Sequence, residues 1–409
     1  MFGLFFEMPC VFQTDLIVQL SNLMKKTTLT ACLRGLILLF VFGAFISFES
    51  KAQNPSTSFS LTKDEAPRYD QIVTDLDITS FQLQLVSAPM EFTEEAQTAT
   101  LLMELPWYDG SSKPFEVVES PIMTEEFADA YPTFRTYAVR AIGKELITGR
   151  IFVSEFGVFA NLLVEGNMVG IRPVNLKNPV EHEIYLGRHE SDYDLEQFGC
   201  SFDEDIVPFL GKSDDDDKPQ TENTLSNGAT LKEYNLAIVT TGEFHDGNGG
   251  SVASATAVVT SSVNAIQTMF DKDIAVRFNL LTPMIYTDPN TDPFDPAGAG
   301  RTIQAAEAVD ANFNQNDYDI GHCFHDSNEP PGGFAGGGVA GLGVVCNDNT
   351  SGISGTGYNK AAGWSGSGDN TTNGWHQLAA HEFGHMFDAT HTWNGSGGSC
   401  SGCPGGNQS

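Results

Sequence analysis

The segment that most constrains this chain reads HEFGH from His381 to His385 and is followed by a third histidine, His391. On an α-helix, residues four positions apart lie on the same face, so His381 and His385 can bind one metal ion together. Glu382 is rotated by about 100° from His381 on such a helix, which puts its carboxylate beside the metal, where it can hold a water molecule. A third imidazole from His391 would complete a three-ligand zinc site with one open position.

The third histidine makes this pattern specific. The chain has 9 histidines in 409 residues, so a given position is histidine by chance about once in forty-five (409/9). The surrounding residues also follow a helical period, because Ala379, Phe383 and Phe387 recur every four residues on a second, apolar face. A helix with one apolar face and one ligand face is typical of a buried active site. A metal site is therefore favoured over two unrelated histidines on an exposed helix.

The chain must turn sharply between His385 and His391. These residues are six positions apart, and a continuous helix would rotate them by about 600°, to opposite sides. Asp388 lies where the turn is needed. Aspartate is among the non-glycine residues that best tolerate a positive φ, so we expect Asp388 to allow the turn with some strain.

The whole pattern resembles HExxHxxGxxH, the zinc motif of the metzincin metallopeptidases, in the reprolysin- or adamalysin-like branch found in secreted bacterial proteins. Asp388 replaces the glycine of that motif. The similarity extends to residues 318–322 (YDIGH) and 337–346 (GGVAGLGVVC), and it covers roughly residues 231–409.

The resemblance implies a secreted zinc endopeptidase that is made as a zymogen and acts on proteins or peptides. His381, His385 and His391 would bind one catalytic Zn²⁺, which acidifies a bound water and polarises the scissile carbonyl. Glu382 would act as general base and deliver the proton to the departing amine. The alternative is a non-catalytic, zinc-stabilised extracellular binding or adhesion protein. The intact Glu382 argues against it, because a structural zinc site does not need that carboxylate.

The end of the chain departs from the family pattern. Metzincins carry a methionine-containing turn after the third histidine, but here no methionine follows Met386. We therefore expect the chain to stop inside its catalytic domain. A gluzincin, in which a downstream glutamate is the last ligand, would also require further sequence, since no glutamate follows Glu382.

The C-terminal part alternates predicted strands and helices, which is typical of an α/β sheet covered by helices. Strands are predicted over 234–241, 274–281, 318–324 and 339–345, and helices over 252–270, 302–314 and 375–387. The resemblance implies an α+β metzincin-like catalytic domain over 231–409, with a mixed sheet and an active-site helix. Its glycine-rich edge strand would take up substrate as an added strand through Gly341, Leu342 and Gly343. The alternative is a flexible surface loop.

The N-terminal part is predicted to be mostly β over residues 53–210. Short segments such as 151–159 alternate apolar and polar residues, and helical stretches are few. This region resembles the pro-region of such secreted peptidases, notably at residues 115–120 (FEVVES) and at Tyr131-Pro132.

An acidic linker is predicted over residues 211–230. Its run SDDDDK has like charges and no apolar anchor, which favours a solvated, protease-sensitive segment. Pro219 after the lysine hinders trypsin-like cleavage, so we expect processing somewhere within 205–230. Cys200 lies just before this segment and has two interpretations: a thiolate that binds the zinc and keeps the uncut protein inactive, or a plain thiol.

The N-terminus carries an export signal. Residues 24–52 combine a short positive segment with an apolar run over 36–48 that is too short to span a bilayer well, and cleavage is expected after Ala52. Residues 1–23 would be an upstream extension. The chain holds 21 basic and 53 acidic residues, a net charge of −32. This charge argues against nucleic-acid or anionic-membrane partners and suits a secreted or cell-surface protein.

Five cysteines remain after signal cleavage, so disulfide pairing would leave one thiol over: Cys200, Cys323, Cys346, Cys400 and Cys403. Cys323 and Cys346 end neighbouring predicted strands. The sequence does not determine which pairs form. If those strands run antiparallel, their C-terminal ends lie far apart, and Cys400 and Cys403 are then the alternative partners for Cys346.

Other polar residues are weaker candidates. Three histidines are expected to be structural: His322, His325 and His376. Three carboxylates could bind Ca²⁺: Asp288, Asp292 and Asp295. Two prolines and an irregular spacing in that segment favour a solvated loop instead.

Overall fold

The structure is a computed structural model. It describes residues 71–143, 146–164, 167–187, 199–200, 230–294, 300–326, 336–348, 359–389, 393–394 and 407–408. All described residues belong to one compact unit within Phe59–Ser409. The predicted signal peptide and the acidic linker up to residue 229 lie outside the described residues. Within the described part, no helix has both the length and the apolarity needed to cross a membrane.

The N-terminal sheet contains eight strands: β1 (Gln71–Asp75), β2 (Leu101–Pro106), β3 (Ser112–Glu119), β4 (Arg135–Ala141), β5 (Ile147–Ser154), β6 (Gly157–Val164), β7 (Asn167–Pro173) and β8 (Glu181–Leu186). All neighbours are antiparallel, in the order β1-β8-β7-β6-β5-β4-β3-β2. Three short helices lie between strands: α1 (Ile78–Leu85), α2 (Glu94–Thr98) and α3 (Glu125–Ala130). The prediction of a mostly β N-terminal region is confirmed.

Strands β5 and β6 are buried on both faces. Alternate side chains of a strand point to opposite faces, and here the two faces serve different cores. Ile151 and Val153 belong to the core of the N-terminal part, whereas Phe152 between them belongs to a core shared with the C-terminal part. Phe159 on β6 also belongs to the core that is shared with the C-terminal part. The sheet is therefore covered on one side by its own helices and loops and on the other by the C-terminal part.

The C-terminal part contains a second sheet with the helices that cover it: β9 (Gly199–Cys200), β10 (Lys232–Thr240), α4 (Gly242–Gly247), α5 (Val252–Ile274), β11 (Val276–Leu280), β12 (Met284–Ile285), α6 (Arg301–Asn312), β13 (Ile320–Asp326), β14 (Gly336–Ala340), β15 (Gly363–Ser367) and α7 (Asn373–Met386). The strand order is β11-β10-β13-β15-β14-β9, with β12 also beside β10. Among the described strands of this sheet, β14 and β15 form the one antiparallel pair, and all other neighbours are parallel. A small ladder joins β16 (Trp393–Asn394) to β17 (Asn407–Gln408). This mixed sheet with helices confirms the predicted α/β class.

Helix α5 lies between the two sheets. It begins at Ser251, whose hydroxyl accepts the backbone N–H of Ser254, and ends at Ala275 in the left-handed conformation. Every residue from Ser254 to Thr268 is buried. Most of these side chains are Ala, Ser, Thr or Val, so the helix can pack closely against β5 and β6 on one side and β11 and α7 on the other.

Two strands of the C-terminal sheet differ from the sequence predictions. Strand β14 spans Gly336–Ala340, between β15 and β9, so the predicted strand over 339–345 was misplaced. Strand β15 was not predicted, because GWSGS has neither alternation nor β-branched residues. Its glycines are required by close packing: a Cβ at Gly363 would lie 2.6 Å from His322 Nδ1.

Candidate metal centre and active site

Helix α7 is positioned by its apolar face. The hydroxyl of Thr372 accepts the backbone N–H of Trp375 at 3.2 Å and caps the helix. The side chains that recur every three or four residues are buried against the sheet: Trp375, Ala379, Phe383 and Met386. The ring of Phe383 packs edge-on against Phe278 at 5.4 Å between centroids. The opposite face, which carries His381, turns outward.

His381 and His385 point their imidazoles at one location. The two Nε2 atoms are 2.9 Å apart. Two nitrogens bound to one tetrahedral zinc at about 2.0–2.1 Å are separated by roughly 3.3 Å, so this spacing fits a shared ion with little adjustment. The same 2.9 Å separation is that of an N–H···N hydrogen bond between the two rings, so the geometry permits a shared cation without requiring one.

The ring of His385 is held by the backbone. Its Nδ1–H donates to the carbonyl oxygen of Ala389 at 2.6 Å. Burial lowers the pKa of His385 below its ordinary value, against the opposing effect of this hydrogen bond. The Nδ1–H tautomer leaves the Nε2 lone pair directed at His381, as a metal ligand requires.

Glu382 is fully buried beside these imidazoles, and it packs against strand β14. A Cβ added at Gly338 would lie 2.4 Å from Glu382 Cγ and 2.6 Å from both Cδ and Oε1. Glycine is therefore required at position 338 for the carboxylate to occupy its place. Sequence reasoning included Gly338 only in a glycine-rich edge and did not single it out. A glycine on an edge strand facing the motif is the signal that could have found it.

The turn after α7 follows the sequence prediction. Asp388 has a φ of 73°, in the left-handed region. Its N–H donates to the carbonyl of His385 at 2.9 Å, and the N–H of Ala389 donates to that of Gly384 at 3.0 Å. These two bonds form a Schellman motif, which ends the helix where the family motif has glycine. His391, the predicted third ligand, lies outside the described residues.

The edge of the sheet beside Glu382 is occupied by strand β9. Gly199 and Cys200 pair in parallel with Gly337 and Gly338 of β14. The backbone of Cys200 is thus in register with the glycine that contacts Glu382. The predicted substrate-binding residues follow β14: the N–H of Gly341 donates to the carbonyl of Ala362 at 2.7 Å.

The predicted substrate-binding residues are Gly341, Leu342 and Gly343, and all three lie in the loop after β14. The N–H of Gly343 donates to the carbonyl of His385 at 3.0 Å. Gly341 and Gly343 therefore use their N–H groups to fix the loop against β15 and α7, while Leu342 is half-buried. Their role in substrate binding stays a prediction.

The three histidines predicted to be structural each have internal partners. His322 contacts Ser365 Oγ at 2.9 Å and the sulfur of Met386 at 3.4 Å, beneath the ligand helix. His325 bonds the hydroxyl of Thr241, and His376 donates to Asn161 Oδ1, both at 3.0 Å. Burial lowers the pKa of all three rings to about 3. They are neutral core residues.

The predicted calcium ligands serve their own loop. Asp288 accepts two bonds from Asn290, and Asp292 accepts the N–H groups of Gly242 and Phe294. Asp295 lies outside the described residues. Among the residues that the structure describes, no three His, Cys, Asp or Glu side chains are placed to hold a metal ion, and calcium binding has no support.

Cys323 and Cys346 are free thiols. Cys323 is buried within β13, not at its end, and burial raises the pKa of its thiol above its usual range. Cys346 is exposed in the loop after β14. Cys400 and Cys403, the predicted alternatives for pairing with Cys346, lie outside the described residues.

Comparison with known families defines the class. Residues 230–409 match the model of the reprolysin-like metallopeptidases of family M12B. Over these residues, which are less than half of the chain, the sequence is similar to the reprolysin-like metallopeptidases, as the zinc motif predicts. That family implies a metal cofactor and protein or peptide substrates.

Two solved structures are similar to this chain. One is metalloproteinase-II from Bacteroides fragilis, with 13% identity over 75% of this chain and 87% of that one, at a TM-score of 0.38. The other is described as a chaperone–substrate complex, with 18% identity over 41% of this chain and 24% of that one, at a TM-score of 0.27. At these TM-scores, neither likeness bears on individual residues. No curated protein matches the chain significantly.

Proposed function

We propose that this chain is the precursor of a secreted zinc endopeptidase. In this proposal His381, His385 and His391 bind the zinc and Glu382 is the general base. The observation that carries it is the pair of Nε2 atoms 2.9 Å apart with the fully buried carboxylate of Glu382 on the adjacent residue. A metallopeptidase family match over residues 230–409 supports the same chemistry.

A zinc ion bound at these imidazoles supplies Lewis acidity, which acidifies a water and polarises the scissile carbonyl. Glu382 accepts the proton of the attacking water and donates it to the leaving amine. Because the carboxylate is buried, its interactions with the substrate are less screened than they would be in water. His385 is kept in one tautomer by Ala389, so its ring does not have to reorient during the reaction.

The same proposal includes latency through Cys200. Support comes from β9, which occupies the edge of β14 with the backbone of Cys200 opposite Gly338. Peptide substrates of such enzymes bind as an added strand, and β9 fills that edge. A cysteine thiolate is a strong zinc ligand, so a Cys200 side chain directed at the imidazoles would block the open position.

Zinc content tests the ligand assignment. We expect His381→Ala and His385→Ala to lose bound zinc, whereas Gln377→Ala, a change at a partly exposed residue of the same helix, should retain one ion per chain. Inductively coupled plasma mass spectrometry on the dialysed proteins gives the stoichiometry. Full zinc occupancy in both ligand variants would contradict the proposed site.

A further inference from the structure

We infer that the N-terminal sheet stays bound after the linker is cut, as a non-covalent subunit, and that only strand β9 leaves the C-terminal sheet. The inference rests on the proposed function for the position of the cut, within residues 205–230. It goes beyond that function because it assigns retention of the pro-region to the core shared with α5, and release to the pairing of β9 with β14.

The two parts share one hydrophobic core. Six side chains from the N-terminal part join the cluster formed by α5, α7 and the C-terminal sheet, and all are at most 9% exposed: Ile122, Met123, Phe127, Phe134, Phe152 and Phe159. Contacts between α5 and strands β5 and β6 run along the helix. Separating the parts would expose this apolar surface to water, which strongly opposes dissociation. An interface built like a domain core is typical of permanent association.

The N-terminal part also completes the edge of the C-terminal sheet opposite β14. The N–H of Leu280 on β11 donates to the carbonyl of Ile122 at 2.6 Å, and the N–H of Thr124 donates to the carbonyl of Leu280 at 2.9 Å. Met123 forms a parallel bridge with Leu280. Losing this segment would leave the buried edge of β11 without its hydrogen bonds.

Charged groups lock the orientation of the two parts. Arg150 on β5 has a side chain only 2% exposed, and it donates to Asn264 at 2.8 Å and to Asp271 at 3.2 Å, both on α5. Arg277 on β11 pairs with Glu91 of the N-terminal part. Buried charges are tolerated only when paired, so these contacts make any other arrangement unfavourable.

The start of helix α7 is held by the same sheet. The hydroxyl of Tyr185 on β8 accepts the N–H of Asn373 at 3.0 Å, and the side-chain amide of Asn373 donates to the carbonyl of Met168 at 3.0 Å. His376 bonds Asn161 on β6. The helix that carries His381 and His385 is therefore anchored at its first turns by the N-terminal sheet.

Strand β9 is held far less. Within the part of the chain that the structure describes, its pairing with β14 consists of two residue pairs, Gly199–Gly337 and Cys200–Gly338. A cut within residues 205–230 removes the covalent connection between β9 and β10, so the chain no longer holds β9 from its C-terminal side. The strand that pairs with Gly337 and Gly338 can leave while the N-terminal sheet remains.

The test uses a chain that can be cut at one bond. Residues 222–228 read ENTLSNG, so T224L, L225Y, S226F and N227Q create the recognition sequence ENLYFQG of a site-specific viral protease. The Glu382→Ala background prevents self-digestion, and zinc is kept present throughout. After complete cutting, size-exclusion chromatography at micromolar concentration should give one peak that contains both fragments. Two separate peaks would overturn the inference.

Hydrogen exchange on the cut protein gives a second readout. We expect the segment 276–285 to keep its protection and the segment 336–340 to lose at least about tenfold, because β9 leaves and the N-terminal sheet does not. Loss of protection at 276–285 would contradict the inference. Neither readout depends on catalysis, so failure here leaves the zinc and peptidase tests standing.

A matched pair of variants locates the retaining surface. Arg150→Met should increase fragment separation at least about tenfold, whereas Arg140→Met should not, because Arg140 forms an exposed ion pair with Glu116 on the outer part of the sheet. Equal retention of the fragments in both variants would show that Arg150 does not hold the complex and would overturn this part of the inference.

Discussion

Gly338 lies directly against the side chain of Glu382, so closely that an added Cβ would stand 2.4 Å from Glu382 Cγ. The backbone of strand β14 thus forms one wall of the space that the carboxylate occupies. Gly338 on β14 and the side chain of Glu382 on α7 therefore restrict each other's position, although 44 positions (382 − 338) separate them in the sequence.

Gly338→Ala should displace Glu382 and lower kcat/KM for peptide hydrolysis by about 10- to 100-fold, because displacements near 1 Å at a catalytic group have effects of that size. Gly384→Ala is the control, since its nearest neighbour would be 3.8 Å away. Steady-state kinetics on the processed protein measure both. Full activity in Gly338→Ala would show that Glu382 tolerates the displacement.

Asp388 is expected to be sensitive to side-chain shape. Its φ of 73° is accessible to glycine and tolerated by aspartate, but it is strained for a β-branched residue. Asp388→Val should lower the free energy of unfolding by ~1–2 kcal/mol, whereas Asp388→Gly should change it by less than ~1 kcal/mol. Urea unfolding compares them, and equal stability of the two variants would contradict a left-handed residue here.

Stability should decrease in acid because several histidines are buried in neutral form. Burial lowers the pKa of His376 to about 3 and that of His182 to about 4. An unfolded histidine titrates near 6.5, so the unfolded state binds more protons between about pH 6.5 and pH 3. Stability is full above this window and falls through it, by about 1.4 kcal/mol per pH unit for each group.

His376→Gln should reduce that slope by the contribution of one group. Chemical denaturation at pH 4, 5, 6 and 7 measures the slope for the parent chain and the variant. An unchanged slope would mean that His376 is not a buried neutral histidine in the folded protein.

Cys200→Ser should release activity in the uncut chain if its thiolate blocks the zinc. Cys346→Ser is the matched control, because Cys346 is exposed in a loop. Peptide hydrolysis by the intact precursors measures latency. If Cys200→Ser stays as inactive as Cys346→Ser, then strand β9 blocks the site through its backbone and the thiol is not the switch.

Helix α7 was predictable because its sequence follows the spacing and capping rules of a single α-helix. The HEFGH segment, the apolar face through Phe383 and the sharp turn at Asp388 all follow from helical geometry, and the structure bears out the helix and the turn. The alternation of residues 151–159 likewise predicted strands, although it did not reveal that Phe152 serves a second core.

The parts that were not predictable depend on contacts distant in sequence. Strand β15 has no strand pattern because its glycines are required by the rings of His322 and His325. Strand β9 has two residues, too few for any periodic signal, and its place is set by pairing with β14. Gly338 became recognisable only when Glu382 was seen beside it.

The most direct test of the central claim is peptide hydrolysis by Glu382→Gln at full zinc occupancy, with the exposed Glu307→Gln as control. The account predicts that Glu382→Gln binds one zinc ion per chain, as the parent does, and loses at least about 10²- to 10⁴-fold in kcat. A zinc-loaded Glu382→Gln protein that hydrolyses peptide at the parent rate would contradict it.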